Sequence, residues 1–198
     1  MSPYHFIERP APAGAPLFFT FHGTAGDEHQ FFDLAQMLVP AAHIISVRGD
    51  VSEHGALRFF KRTGEGVYDM ADLALRTKAM AEFVAAQKLR LQAPRVIGLG
   101  YSNGANILAS VMFVEPALFD DAVLMHPLIP WVPANQSGLE AKRVLITAGK
   151  RDPICPAQES QRLATYFESQ KAVTKLVWHD GGHELRQIEV DAAKAFLG

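Results

Sequence analysis

Six stretches of strand length are apolar almost without interruption: LFFTFH (17–22), HIISV (43–47), RVIGL (95–99), DAVLMH (121–126), RVLITAG (143–149) and VTKLVWH (173–179). A strand with one wet face alternates apolar and polar residues; a strand apolar throughout is covered on both faces. Segments with helical spacing lie between these runs, at about 28–39, 69 onward, 103–115, 156–169 and 184–197. Asp69 is placed to cap the second, whose apolar side carries Leu73, Met80 and Val84, with Thr77 between them at helical spacing. Strand and helix alternate to the end of the chain. The pattern predicts one α/β domain over residues 1–198: a mainly parallel, twisted sheet with helices on both faces. PAPAGAP, 10–16, is too short for a domain linker and reads as a turn. Neither internal repeats nor low-complexity tracts break the pattern.

In parallel sheets, sites form where strands run out at their carboxyl ends. After LFFTFH comes Gly23-Thr24-Ala25-Gly26-Asp27, and after RVIGLG comes Tyr101-Ser102-Asn103-Gly104. Lys150-Arg151-Asp152-Pro153 follows RVLITAG, and Asp180-Gly181-Gly182-His183 follows VTKLVWH. A serine, an acid and a histidine thus stand at three separate strand ends, in the chain order of a nucleophile-elbow hydrolase.

Each has a chemical reason to be there. A serine hydroxyl is a weak nucleophile and needs an adjacent base. The imidazole of His183 suits that task at neutral pH. An acid on the other ring nitrogen fixes the tautomer and stabilises the imidazolium. Asp152 is the assigned acid; Asp180, three residues before His183, reads as a loop cap, and Asp120 and Asp121 as loop residues. Gly100 and Gly104 flank Ser102, where side chains would clash in a tight strand-to-helix turn. The oxyanion donors expected are the backbone N–H groups of Asn103 and Thr24. With 15 glycines in 198 residues, GxSxG arises by chance roughly 0.05 times in such a chain. It is the ordered acid and base at later strand ends that make the signal strong.

On these residues the chain resembles the α/β-hydrolase superfamily, specifically its small phospholipase/carboxylesterase branch, with kinship to dienelactone-hydrolase-like proteins. The match is carried by His22-Gly23-Thr24-Ala25-Gly26-Asp27-Glu28, Gly100-Tyr101-Ser102-Asn103-Gly104-Ala105-Asn106, Asp152-Pro153 and Gly181-Gly182-His183. The resemblance covers nearly the whole chain and implies a cofactor-free serine esterase. Residues 47–69 are similar to the stretch of this branch that carries an aromatic pair beside the active site, here Phe59-Phe60. Two departures matter. Asn103 stands where carboxylesterases of the branch often have Gln, and dienelactone hydrolases proper use cysteine where this chain has Ser102.

Phe59, Phe60, Leu128 and Ile154 are therefore expected to line the substrate pocket, with Ile129 and Trp131 as further candidates. His22 and His126 end strands and are candidates to touch the site; His179 reads as structural or solvated. Cys155 reads as a small buried residue at a helix start, the alternative being a sensitive thiol near the site. Gly64-Glu65-Gly66 is a turn without a phosphate-binding pattern, and Cys155 and the histidines lack metal-ligand spacing, so neither cofactor nor catalytic metal is expected.

The connection from the 121–126 strand to the 143–149 strand is too short for a large cap. That points to soluble esters of small to medium size, with acyl thioesters or non-catalytic ligand binding as the alternatives. A formal charge of −2 excludes a basic field for nucleic acid. No run approaches the ~20 apolar residues of a membrane span, and the N-terminus lacks a secretory pattern. One cysteine allows no internal disulfide, in keeping with a reducing, cytoplasmic setting. A homodimer would suit exposed aromatic loops beside a small open site.

Overall fold

Alternate residues of the first buried strand point to opposite cores. In β2 (Leu17–Phe21), Leu17, Phe19 and Phe21 join one apolar cluster and Phe18 the other. The remaining side chain, Thr20, bonds Ser46 at 2.5 Å. This explains the uninterrupted apolar run: both faces are dry.

The computed structural model describes residues 4–198, so residues 1–3 of the expected domain lie outside the described residues. Beside β2, the central sheet contains β1 (Phe6–Arg9), β3 (His43–Val47), β8 (Val96–Tyr101), β9 (Asp121–Met125), β10 (Arg143–Gly149) and β11 (Val173–His179). Their order is β1-β3-β2-β8-β9-β10-β11. Every pairing is parallel except β1 with β3 at the edge. Two small hairpins intervene before β8, β4 (Val51–Glu53) with β5 (Ala56–Arg58) and β6 (Arg62–Gly64) with β7 (Val67–Tyr68). The sequence pattern shows no elements in this stretch, because its strands are too short to show a period.

The helices divide between the faces. α1 (Phe32–Leu38) and α5 (Gln187–Leu197) cover one, through Ala35, Leu38, Ala193 and Phe196. α2 (Met70–Leu91) and α3 (Asn103–Val114) cover the other, through Leu73, Met80, Val84, Ile107 and Leu108, and α4 (Ala157–Ser169) joins them through Leu163 and Phe167. Asp69 caps α2 as expected, accepting from the N–H of Asp72 at 3.0 Å. α1 and α5 begin later than expected, since 28–31 form turns and 184–186 are irregular.

The chain steps from β2 to β3 on one side and returns to β8 on the other. That reversal between β2 and β8 is the topological switch point, where a cleft opens at the strands' carboxyl ends. Thr24 follows β2 and Ser102 follows β8.

Candidate active site

Ser102 has φ 52° and ψ −116°, a conformation side chains rarely adopt. Its N–H donates to the carbonyl of Met125 at 2.8 Å, which tethers the turn to the neighbouring strand. Glycine is required on both sides. A Cβ on Gly100 would run into the backbone of Gly104, and one on Gly104 into the carbonyls of Phe21 and His22. The strain is thus held by close backbone packing around the elbow.

Ser102 Oγ lies 3.0 Å from Nε2 of His183, and Nδ1 of His183 lies 2.7 Å from Oδ2 of Asp152. Three strand ends thus bring a serine, a histidine and an aspartate into one hydrogen-bonded chain. Asp152 is buried, and its other oxygen, Oδ1, accepts from the N–H groups of Ile154 and Cys155 at 2.8 and 2.9 Å. Burial alone would raise its carboxyl. Hydrogen bonds from His126, His183 and the two backbone groups win, and hold it well below the usual carboxylate range. The histidine loop is pinned separately. Tyr101, the residue before Ser102, donates to the carbonyl of His183 at 2.7 Å and packs its ring against the imidazole. Burial pushes the Tyr101 phenol up to about 12, so it stays a donor. Asp180 does not reach the base; it pairs with Lys150 on the surface.

The expected oxyanion donors face no acceptor among the described residues: neither the N–H of Asn103 nor that of Thr24 is bonded within the chain. The turn carrying Thr24 is braced from two sides. Arg58, nearly fully buried, donates to Thr24 Oγ1 at 2.7 Å. His22 donates from Nδ1 to Gly23 O at 2.7 Å and accepts from Gly49 N–H at Nε2, at 2.9 Å. One donating and one accepting nitrogen make His22 a neutral imidazole, in keeping with burial lowering its pKa. It ties the turn after β2 to the turn after β3.

The side chain of Asn103 faces inward. Its Oδ1 accepts from Phe59 N–H at 2.7 Å, so the amide holds the chain just after the first hairpin. The expectation for the aromatic pair changes accordingly. Phe59 packs edge-on against Phe21 and lies over the His22 ring, Phe60 packs on Tyr68, and both are fully buried in the core. Being aromatic beside a motif does not separate a lining residue from a core residue; burial does. Leu128 is also nearly buried, and its N–H is held by Asn106 Oδ1 at 2.7 Å. Ile129 is buried, whereas Ile154 and Trp131 are half-buried.

Asn106, one helical turn past Ser102, is a positioning residue that sequence reasoning missed. Besides holding Leu128, it donates to Tyr68, whose hydroxyl donates to the Leu128 carbonyl at 3.0 Å. Glu189 was missed as well. It lies on α5, where one Glu among polar residues carries no signal, yet it is fully buried 3.1 Å from His126 Nε2 and 3.3 Å from His179 Nε2. Thr147 donates to it at 2.6 Å and Arg186 N–H at 2.7 Å. His126 and His179 are therefore both inside, His179 in a structural role and His126 directly on Asp152.

His126, His179 and Glu189 bring three potential metal-ligand atoms together. Hydrogen-bond accounting commits them elsewhere. Gly181 N–H can only donate, so Nδ1 of His179 accepts it, at 3.0 Å, and Nε2 carries the proton. A protonated nitrogen cannot ligate. Cys155 is buried with its thiol donating to the His126 carbonyl at 3.1 Å, and burial pushes that thiol up, away from thiolate chemistry. A mostly apolar groove of about 720 Å³ lies between α2, the far end of α3 and Trp131. Ser110, Phe113 and Val114 on its wall sit about 12–18 Å along the helix from Ser102, at ~1.5 Å per residue, so the groove is separate from Ser102 and His183.

The switch-point cleft, the strained serine elbow and the acid and base at later strand ends define an α/β-hydrolase. The comparisons agree. No protein-family model matches the chain. It is 42% identical over 175 residues to the Putative hydrolase MhqD of Bacillus subtilis (strain 168), covering 87% of this chain and 88% of that one. Among solved structures, a carboxylesterase of Bacillus cereus is 36% identical with a TM-score of 0.92, over 99% of this chain and 94% of the other. The protein Atu2452 from Agrobacterium tumefaciens str. C58, of unknown function, is 55% identical with a TM-score of 0.93, over 98% and 95%. The chain belongs to the α/β-hydrolase family, on its small-carboxylesterase branch, and is an esterase-type hydrolase. No helix among the described residues is long and apolar enough to cross a membrane.

Proposed function

We propose that the protein hydrolyses carboxylic esters through an acyl-enzyme on Ser102. The observation that carries this reading is the unbroken chain from Ser102 Oγ through His183 to Asp152, at 3.0 and 2.7 Å. Ser102 Oγ attacks the ester carbonyl while His183 Nε2 takes its proton. The oxyanion is received by the N–H groups of Asn103 and Thr24. His183 then protonates the departing alcohol, and water, deprotonated by His183, cleaves the acyl-enzyme. Loss of one oxyanion donor lowers kcat on the order of 10²–10³-fold. Soluble esters of small to medium size fit the short connection between β9 and β10, which holds one 3₁₀ turn and no cap domain. Acyl thioesters would use the same machinery. Non-catalytic ligand binding is disfavoured because serine, base and acid are all present and connected.

The test is labelling with a fluorophosphonate probe, read by intact mass, on the wild type and on Ser102→Ala and His183→Ala. A single adduct that is absent in Ser102→Ala and much slower in His183→Ala supports the proposal. An unlabelled wild type, or equal labelling of Ser102→Ala, overturns it. A panel of p-nitrophenyl esters and acyl thioesters of increasing chain length then defines the acyl preference.

A further inference from the structure

The acid of the triad has two histidines, not one. Oδ2 of Asp152 accepts from His183 Nδ1 and from His126 Nδ1, each at 2.7 Å. On its other side, His126 Nε2 faces Glu189 Oε1 at 3.1 Å. Both carboxylates have their pKa lowered, so both are acceptors only. His179 Nε2 also lies 3.3 Å from His126 Nε2, and it carries a proton of its own. With that proton directed to Glu189 Oε2 at 3.3 Å, His126 Nε2 is left facing Oε1, and a ring held between two carboxylates carries a proton on each nitrogen. The side chains of His126, Asp152 and Glu189 are all fully buried, and a charge there persists only when paired.

His126 is surrounded as follows. Asp152 and Cys155 approach from the loop after β10, Glu189 from α5, and His179 from the end of β11. His183 comes from the loop after β11, its ring centroid 5.1 Å away, and Tyr101 from β8 at 5.8 Å. Only the two carboxylates carry charge against it. The backbone of His126 is itself in the left-handed region, φ 50°, with its N–H on Thr147 O at 2.8 Å. A non-glycine residue held there at a strand end is an outlier. It is the turn that swings the ring inward onto Asp152.

We propose that His126, bridged to Glu189, is a positioning residue for the reaction: it fixes the Asp152 carboxylate and withdraws part of its charge from His183. The inference rests on the proposed Ser102 mechanism. The physical consequence is a weaker pull on protons at His183. A neighbouring imidazolium both neutralises Asp152 and repels a second positive ring 5.1 Å away. The burial that would discharge His126 is outweighed by the hydrogen bonds to Asp152 and Glu189, which together raise it to about 9.

His126→Asn separates the two contributions. The Asn amide can still donate to Asp152 but carries no charge, and Asn tolerates the left-handed backbone. The acid limb of kcat/KM for a p-nitrophenyl ester should move up by about one pH unit. The ¹⁵N-histidine NMR titration of His183 should move the same way, and this needs no turnover. In the wild type, the signals absent from His126→Asn should report an imidazolium across pH 6–8. A neutral His126 in the wild type, or unmoved limb and titration in His126→Asn, overturns the proposal. If His126→Asn fails to fold, the wild-type protonation state, with His126 assigned through its coupling to the two carboxylates, decides alone. Fluorophosphonate labelling of the wild type keeps the two readings apart. An unlabelled serine with an imidazolium His126 removes the acyl-enzyme and leaves the His183 titration to judge the positioning role.

Discussion

The carbonyl oxygen of Phe21, at the end of β2, occupies the place where a side chain on Gly104 would begin. A Cβ there would also stand 2.5 Å from the His22 carbonyl. Both obstacles are backbone at the switch point and cannot rotate away. Gly104→Ala should therefore cost at least ~3 kcal/mol, which for a chain of this length lowers Tm by about 6–12 °C. Gly64→Ala, which would meet only Val67 at 3.9 Å, is the control and should change little. A Gly104→Ala protein melting with the wild type would show that the elbow can yield.

Asn103 has two roles on separate atoms. Its backbone N–H has no partner among the described residues and is the proposed oxyanion donor, while its side chain holds Phe59 N–H. Asn103→Ala keeps the first and leaves the second unsatisfied, which should lower stability by ~1–3 kcal/mol. Ester hydrolysis should fall by less than the loss of an oxyanion donor would cause. A 100-fold fall in kcat with unchanged urea stability would instead place the side chain in the reaction.

Stability should decline above neutral pH because of His126. The ordinary histidine pKa, that of the unfolded chain, is ~6.5, and the folded value is raised to about 9. The contribution is thus complete below ~6.5 and lost as pH rises through about 9, on the order of 3 kcal/mol at most. Urea midpoints at pH 6.5 and 9.5 test it, in a Cys155→Ala background so that ionisation of the unfolded thiol does not contribute. His126→Asn should flatten the decline; an equally steep decline would assign it to another group.

Cys155 is 1% exposed, with its thiol bonded to the His126 carbonyl and its pKa raised by burial. Iodoacetamide should leave it unmodified in the native protein over hours and alkylate it fully in urea. Rapid stoichiometric alkylation of the native protein would mean that the acid loop opens readily.

The uninterrupted apolar runs were enough to read a two-faced parallel sheet, because only a strand covered on both sides has no polar alternation to show. Ser102, Asp152 and His183 were legible for a related reason: each stands at the end of such a run, and parallel strands bring their ends to one edge. Side-chain direction was not legible. Phe59 and Phe60 look identical in sequence whether they line a pocket or fill a core, and packing against Phe21 and Tyr68 placed them in the core. Nor could Glu189 be found, since helical spacing says which residues share a face but not which histidine waits beneath it. Elements distant in the chain meet at Asp152, whose oxygens are shared among β9, the acid loop and the histidine loop. That sharing exists only in the tertiary structure, because the short, directional hydrogen bonds that set charge depend on the packing of α5 and the strand ends.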